Sequence, residues 1–399
     1  MKLEQKWRII WLLAAVGTAL LTTTGFARLT TAESRSLDKF ILEEMKAGNA
    51  PGLAAGIVKH NRLVWSRGFG WADIENEIPM TEDTIQNIGP ISKTITTTAV
   101  MQLWEQGKFK LDDDVNKYLP FKVMNPHFPD DPITFRQLLT HRSSIKDGPA
   151  YDASYACGDP TVSLKDWLTG YLIPGGKDYS DVENFHRWRS GAIEVPKEPR
   201  AYSNVAFGLL GYLVEVISGT DFSHYCKEHV FMPLGMTNTG WYLSDVNIAN
   251  HAVPYTFIPE NFNLTNRNTV ETLLPRFPND RQPIRKGEYF ALCLYSFPNY
   301  PDGLIRTSVR DLSLFLMAYI KNGAHGNERI LKKETTQTML SGEHFGRGLC
   351  WDNYKLKNGD VAWGHGGSDP GIKTRMVFRA KDGVGVIIFS TVTVRGRRL

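Results

Sequence analysis

Ile88-Gly89-Pro90-Ile91-Ser92-Lys93-Thr94 is the stretch that decides how this chain is read. Behind it, Ile91, Ile95, Ala99 and Leu103 recur at helical spacing, and Gly107 offers a stop. Proline is at home where a helix opens, because the first N–H has no intrahelical partner to lose. Gly89 is the expected cap. The stretch therefore reads as a tight turn leading into a helix. Pro90 and Lys93 stand three residues apart and share a face, whereas Ser92 points about 100° away from Lys93.

Two further short motifs follow in order. Tyr202-Ser203-Asn204 precedes a second helical period, Val205, Leu209, Leu213 and Val216, with Gly219 as C-cap. His365-Gly366-Gly367 precedes a hairpin of Lys373–Phe378 and Val384–Val392, turned at Lys381-Asp382-Gly383. Near the start, Leu53–Val58 and Leu63–Phe69 form another hairpin across Lys59-His60-Asn61-Arg62, after a helical pattern over Ser36–Met45. Leu312, Phe315, Leu316 and Tyr319 make one more helix, ending near Gly323. Two long stretches, about 145–200 and 250–303, read as irregular and binding-site-shaping. The expected fold class is α/β: an antiparallel sheet from both chain ends with flanking helices, plus an inserted, mainly helical lobe. The expected division is a sheet lobe at about 36–88 and 330–399 and a helical lobe at about 89–329, within one domain over 28–399.

Composition narrows the function. With 42% apolar and 22% charged residues the chain is globular, and a formal net charge of +4 argues against a nucleic-acid partner. Residues 1–27 read as a targeting segment: Lys2, Lys6 and Arg8 precede an apolar run from Ile9 to Leu21, and Gly25-Phe26-Ala27 offers a cleavage site. A cleaved signal peptide and a retained membrane anchor both fit. Either places the protein outside the cytoplasm, periplasmic or extracellular. Cys157, Cys226, Cys293 and Cys350 form no C-x-x-C pair and are expected as buried small hydrophobes rather than bridges. The histidines show no H-E-x-x-H pattern, so neither a metal nor a cofactor is expected. Asn263-Leu264-Thr265 matches a glycosylation sequon.

Taken together, these motifs resemble the serine β-lactamase and penicillin-binding protein superfamily, in the branch of class C β-lactamases, D-Ala-D-Ala carboxypeptidases and esterases. Pro51-Gly52-Leu53-Ala54-Ala55-Gly56, Leu138-Leu139-Thr140-His141, Phe231-Met232-Pro233-Leu234-Gly235-Met236 and Trp363-Gly364-His365-Gly366-Gly367 support the likeness over about 36–392. The resemblance implies acyl transfer at a serine in an S-x-x-K motif. Lys93 would be the general base, Tyr202 the proton-shuttling tyrosine and Asn204 its substrate-side companion. His365, Gly366 and Gly367 replace the Lys-Thr-Gly of β-lactamases, a variant closer to the esterase and peptidase relatives, and Ser368 would supply an oxyanion N–H. His141 is expected to be structural. The implied ligand is a small molecule or peptide with an ester or carboxylate, and the oligomeric state stays open.

The departure from the motif is Pro90, which stands where the nucleophilic serine belongs. It has neither a hydroxyl to acylate nor the N–H that builds half of the oxyanion hole. Loss of a nucleophile costs on the order of 10⁶ in rate, and loss of one oxyanion donor roughly 10²–10³. The expectation is an impaired enzyme that keeps its ligand cleft. The alternative is an active esterase or peptidase using another nucleophile, Ser92 being the nearest candidate, or a water activated by Lys93 and Tyr202. Ser144 stands where the resemblance implies glycine. The resemblance also implies a C-terminal helix over one sheet face, so that face is expected to need another cover.

Overall fold

Alternation along residues 52–59 builds the centre of the molecule. The structure is a computed structural model that describes residues 30–191, 202–261, 285–342, 347–356 and 358–394. The leader expected over 1–27 and the sequon at Asn263 lie outside these residues. Gly52–Lys59 (β1) and Arg62–Asp73 (β2) pair as the expected hairpin, with His60 and Asn61 at φ 50° and 60° closing a two-residue turn. Such turns match the right-handed twist of the strands they join. Ile78–Pro79 (β3) adds a short edge. The far end of the chain supplies Asp352–Lys355 (β4), Val361–Asp369 (β5), Ile372–Arg379 (β6) and Val384–Ser390 (β7). β1 pairs antiparallel with β7, from Leu53↔Ser390 to Val58↔Gly385, and the strand order is β4-β5-β6-β7-β1-β2-β3. Both chain ends thus share one seven-stranded sheet, as the hairpin signals imply.

Successive side chains of a strand point to opposite faces. Ala54 and Val58 enter the main core, whereas Ala55 and Ile57 join a second cluster with Leu37, Ile41 and Met45 of the helix Thr31–Ala47 (α1). This helix starts at a Thr30–Glu33 capping box and runs further than the expected Ser36–Met45. It answers the expectation of an uncovered face over the middle of the sheet, since Phe69 and Ile388 pack beneath it too. The main core holds Ser92–Glu105 (α2), Val205–Ser218 (α3) and Val309–Ile320 (α4), which match the three predicted periods. Among the described residues no single helix is long and apolar enough to cross a membrane.

Three expectations change. The last hairpin does not run to Val392: Thr391 N donates to Gly52 O while Thr391 O accepts from Tyr255 N. The chain therefore switches partners there, and Val392–Val394 pairs parallel with Tyr255–Phe257. The two irregular stretches are partly ordered by each other, since Ala156–Cys157 pairs with Tyr295–Ser296, and Leu164–Leu172 is a helix. That pairing sets Cys157 beside Cys293 in a disulfide, contrary to the expectation of unbridged cysteines, whereas Cys226 and Cys350 are buried thiols as expected. The 136 residues between the bridged pair hide the link from any local pattern.

Candidate active site

The turn at Pro90 lies against the face of the sheet at β5 and β6. Gly89–Ile91 forms one 3₁₀ turn, with Pro90 in its first positions, and continues directly into α2. Ile88 rather than Gly89 stands at the N-cap, because Gly89 adopts φ 56° inside the turn and its N–H is held by Asn87 Oδ1 at 2.5 Å. Strand β5 passes so close that a Cβ on Gly367 would meet Ile88 O at 2.2 Å. Only glycine fits there. Thr374 on β6 fixes the same carbonyl, donating from Oγ1 to Ile88 O at 2.7 Å. A Cβ on Gly89 would lie 3.5 Å from Ser368 N, so that nitrogen lies beside the turn. A Cβ on Gly366 would approach the Arg375 guanidinium at 3.0 Å.

Lys93 is completely buried on the next turn of the helix. Its amine donates to Asn204 Oδ1 at 2.6 Å and to Asp302 O at 2.7 Å, and stands 3.6 Å from Asp302 Oδ1. It lies 5.0 Å from the Tyr202 ring centre and 5.5 Å from that of Phe207. Burial lowers the Lys93 pKa, and the Asp302 carboxylate opposes that shift. Lys93, Tyr202 and Asn204 are thus brought together. His141 stacks on Tyr202 with ring centres 4.2 Å apart and accepts from Ser203 N through Nδ1 at 3.2 Å.

Ser92, Ser203 and Ser144 direct their hydroxyls elsewhere. Ser92 is fully buried and its Oγ accepts from Ile305 N at 3.0 Å. Ser203 Oγ donates to Asp147 and accepts from Ala206 N at 3.1 Å, capping α3. Ser144 takes φ 63°, the left-handed backbone that favours the glycine implied there, and accepts from Asn125 Nδ2 at 2.9 Å.

His365 is buried near Lys93 on β5. Its Nδ1 lies 2.9 Å from Gly366 O, and a carbonyl only accepts, so Nδ1 carries the proton. Burial, with the Lys93 charge second, pushes its pKa down to about 3. The imidazole is neutral at any physiological pH and offers Nε2 as an acceptor.

Three carboxyls that sequence reasoning missed surround this group. Asp147 accepts from Asn204 N at 2.8 Å and Val205 N at 3.1 Å at the start of α3, while burial lifts its pKa to about 6. Asp302 accepts from Asn299 Nδ2 at 2.6 Å and from Tyr151 OH at 3.1 Å; burial raises its pKa and Lys93 opposes the rise. Asp369 ends β5, accepts from Tyr155 OH at 2.9 Å and is pushed up to about 8 by burial. Its Oδ2 lies 3.9 Å from where a Cβ on Gly303 would stand. No spacing rule connects these residues to Lys93.

Asp369 makes stability fall as pH rises. The unfolded carboxyl ionises near 4, whereas the folded one keeps its proton to about 8. Between those values the folded state holds the extra proton, so unfolding free energy declines with pH and levels off above about 8. Asp147 acts in the same sense up to about 6. Asp369→Asn is expected to flatten the melting temperature across pH 5–8 (roughly the span between the two ionisations), measured against wild type. An unchanged pH slope would contradict the assignment.

No grouping of three or more potential metal-binding side chains occurs among the described residues. The Beta-lactamase family model matches residues 37–398. Protein flp of Staphylococcus aureus (strain N315) is 26% identical over 228 residues, covering 57% of this chain and 42% of that protein. The chain therefore matches less than half the length of that relative. An octameric penicillin-binding protein homologue from Pyrococcus abyssi superposes with a TM-score of 0.64 at 25% identity, over 90% of this chain and 73% of that one. The D-amino acid amidase of Ochrobactrum anthropi SV3, solved with L-phenylalanine amide, gives 0.66 at 18% identity, over 90% and 91%.

Proposed function

The chain belongs to the beta-lactamase family, and from that premise we propose that it is an acyl-transfer homologue with a disabled nucleophile that still binds a ligand. The ligand is a small molecule or peptide bearing an ester, amide or carboxylate. Pro90 at the mouth of α2 carries this reading: one turn before a buried lysine, where attack on a carbonyl would start, the ring has no hydroxyl and no N–H. The serines beside Lys93 and Tyr202 in sequence, Ser92 and Ser203, serve backbone groups instead.

The remaining parts keep roles in binding. Ser368 N offers a hydrogen bond to a carbonyl oxygen, and Asn204 and neutral His365 offer polar contacts beside it. Strand β5 can align an extended ligand along its edge. Lys93 and Tyr202 would take proton-transfer roles if a nucleophile were present. Export is the location that fits this reading. The Cys157–Cys293 bridge supports it, because disulfides persist in oxidising compartments. The N-terminal apolar segment would carry the signal or the membrane attachment.

Hydrolysis of a short-chain p-nitrophenyl ester tests the impairment. Wild-type protein is expected to turn over the ester no faster than Lys93→Ala does. A wild-type rate that collapses in both Lys93→Ala and Tyr202→Phe would overturn the proposal and establish a water activated at this site.

A further inference from the structure

Next to the Pro90 turn lies a small cavity bordered by Gln86, Asn87, His251 and Arg306. It leaves about 10 Å³ for the centre of a water molecule, the room of a single water. Each of these four side chains carries one buried polar atom with no hydrogen-bond partner: Gln86 Oε1, Asn87 Nδ2, His251 Nε2 and Arg306 Nε. An unmatched buried polar group is costly, and four around one space call for a common partner.

The chemistry of each atom is fixed by what the rest of its side chain does. Gln86 Nε2 donates to Asn87 O, which leaves Oε1 as the acceptor. Asn87 Oδ1 accepts from Gly89 N, so Nδ2 is the donor. His251 Nδ1 lies 2.7 Å from Ala252 O and must carry the proton, and burial, with the Arg306 charge second, holds its pKa near 3. His251 Nε2 is therefore a bare acceptor. Arg306 spends Nη1 on Trp241 O and Nη2 on Tyr295 O, and keeps the Nε proton unused. The residues bordering the cavity thus hold two unused donors and two unused acceptors.

We infer that this cavity is a binding site for one structural water, which donates to Gln86 Oε1 and His251 Nε2 and accepts from Arg306 Nε and Asn87 Nδ2. Water alone among small species supplies two donors and two acceptors in tetrahedral array. A halide would satisfy Arg306 and Asn87 but face two acceptors. An ammonium ion would face the guanidinium. The water ties together segments far apart in the chain. Gln86 and Asn87 already pair with Thr307 and Arg306, and Asn87 in turn holds the Gly89 amide. The site is thereby a brace for the turn that carries Pro90, and His251 and Arg306 are positioning residues for it.

A high-resolution crystal structure of the full chain, with a parallel bromide soak, tests the assignment. One solvent peak with hydrogen bonds to all four atoms is expected, and no anomalous bromide signal there. A bromide peak, or side chains turned to pair with one another with no solvent peak, would overturn it. His251→Leu removes one acceptor and is expected to lower the melting temperature by roughly 2–4 °C. His251→Gln restores an acceptor and should lose less. Equal stability of wild type and His251→Leu would overturn the bracing role. None of these readouts depends on whether the cleft binds a ligand.

Discussion

Pro90→Ser is expected to gain covalent labelling by a fluorophosphonate or a fluorescent penicillin, at a rate on the order of 10³ or more above wild type. The substitution returns both missing parts at once: a hydroxyl one helical turn from Lys93, and a backbone N–H opposite Ser368 N. The surroundings are already in place. Lys93 is buried with a lowered pKa, Asn204 holds its amine, and Tyr202 lies beside it. Thr374 holds the turn through Ile88 O and Gly367 leaves room for that carbonyl, independently of the residue at position 90. Releasing proline adds unfolded-chain entropy, which costs only about 0.4–1 kcal/mol, so the variant should fold. Intact-mass measurement reads the adduct, and peptide mapping must place it at position 90. A folded variant that takes no label would show that the Asp302 clamp on Lys93, and not the missing serine, silences the site.

Asp302→Ala should be the most damaging single change to stability away from the apolar core, at about 3–5 kcal/mol. It strips the buried Lys93 amine of its facing carboxylate, removes the carboxylate acceptor of Tyr151 OH, and leaves Asn299 Nδ2 with Asn204 O alone. The backbone acceptor at Asp302 O survives, so the loss is that of the charge pair and its hydrogen bonds. Asp302→Asn keeps one acceptor oxygen and should recover part of the loss. Denaturant midpoints of the two variants, each also combined with Lys93→Met, give the coupling. A fall of under about 1 kcal/mol for Asp302→Ala would place the pair in the range of exposed salt bridges and contradict its burial.

What could be read from residues alone follows the range of the interactions. Hairpins at His60-Asn61 and Asp382-Gly383, and the helices under Lys93, Val205 and Leu312, depend on periods of two and 3.6 within one segment, and these emerge as expected. Lys93 and Asn204 meet because each begins a helix packed against the other. The carboxyl cluster was invisible, since Asp302 reaches Lys93 across 209 residues and Asp369 meets Tyr155 across 214. The same is true of the Cys157–Cys293 bridge and of the parallel strand at Val392, whose partners come from a stretch read as irregular. Gly89 is not the cap that the sequence suggests, because its left-handed φ places it inside the turn rather than before it.

The central claim is that Lys93, Tyr202 and Asn204 gather behind a position unable to attack. Intact-mass spectrometry of the wild-type chain after prolonged exposure to a fluorophosphonate probe addresses it most directly. The account predicts an unmodified mass. A stoichiometric adduct mapped to any serine within the cleft would contradict it.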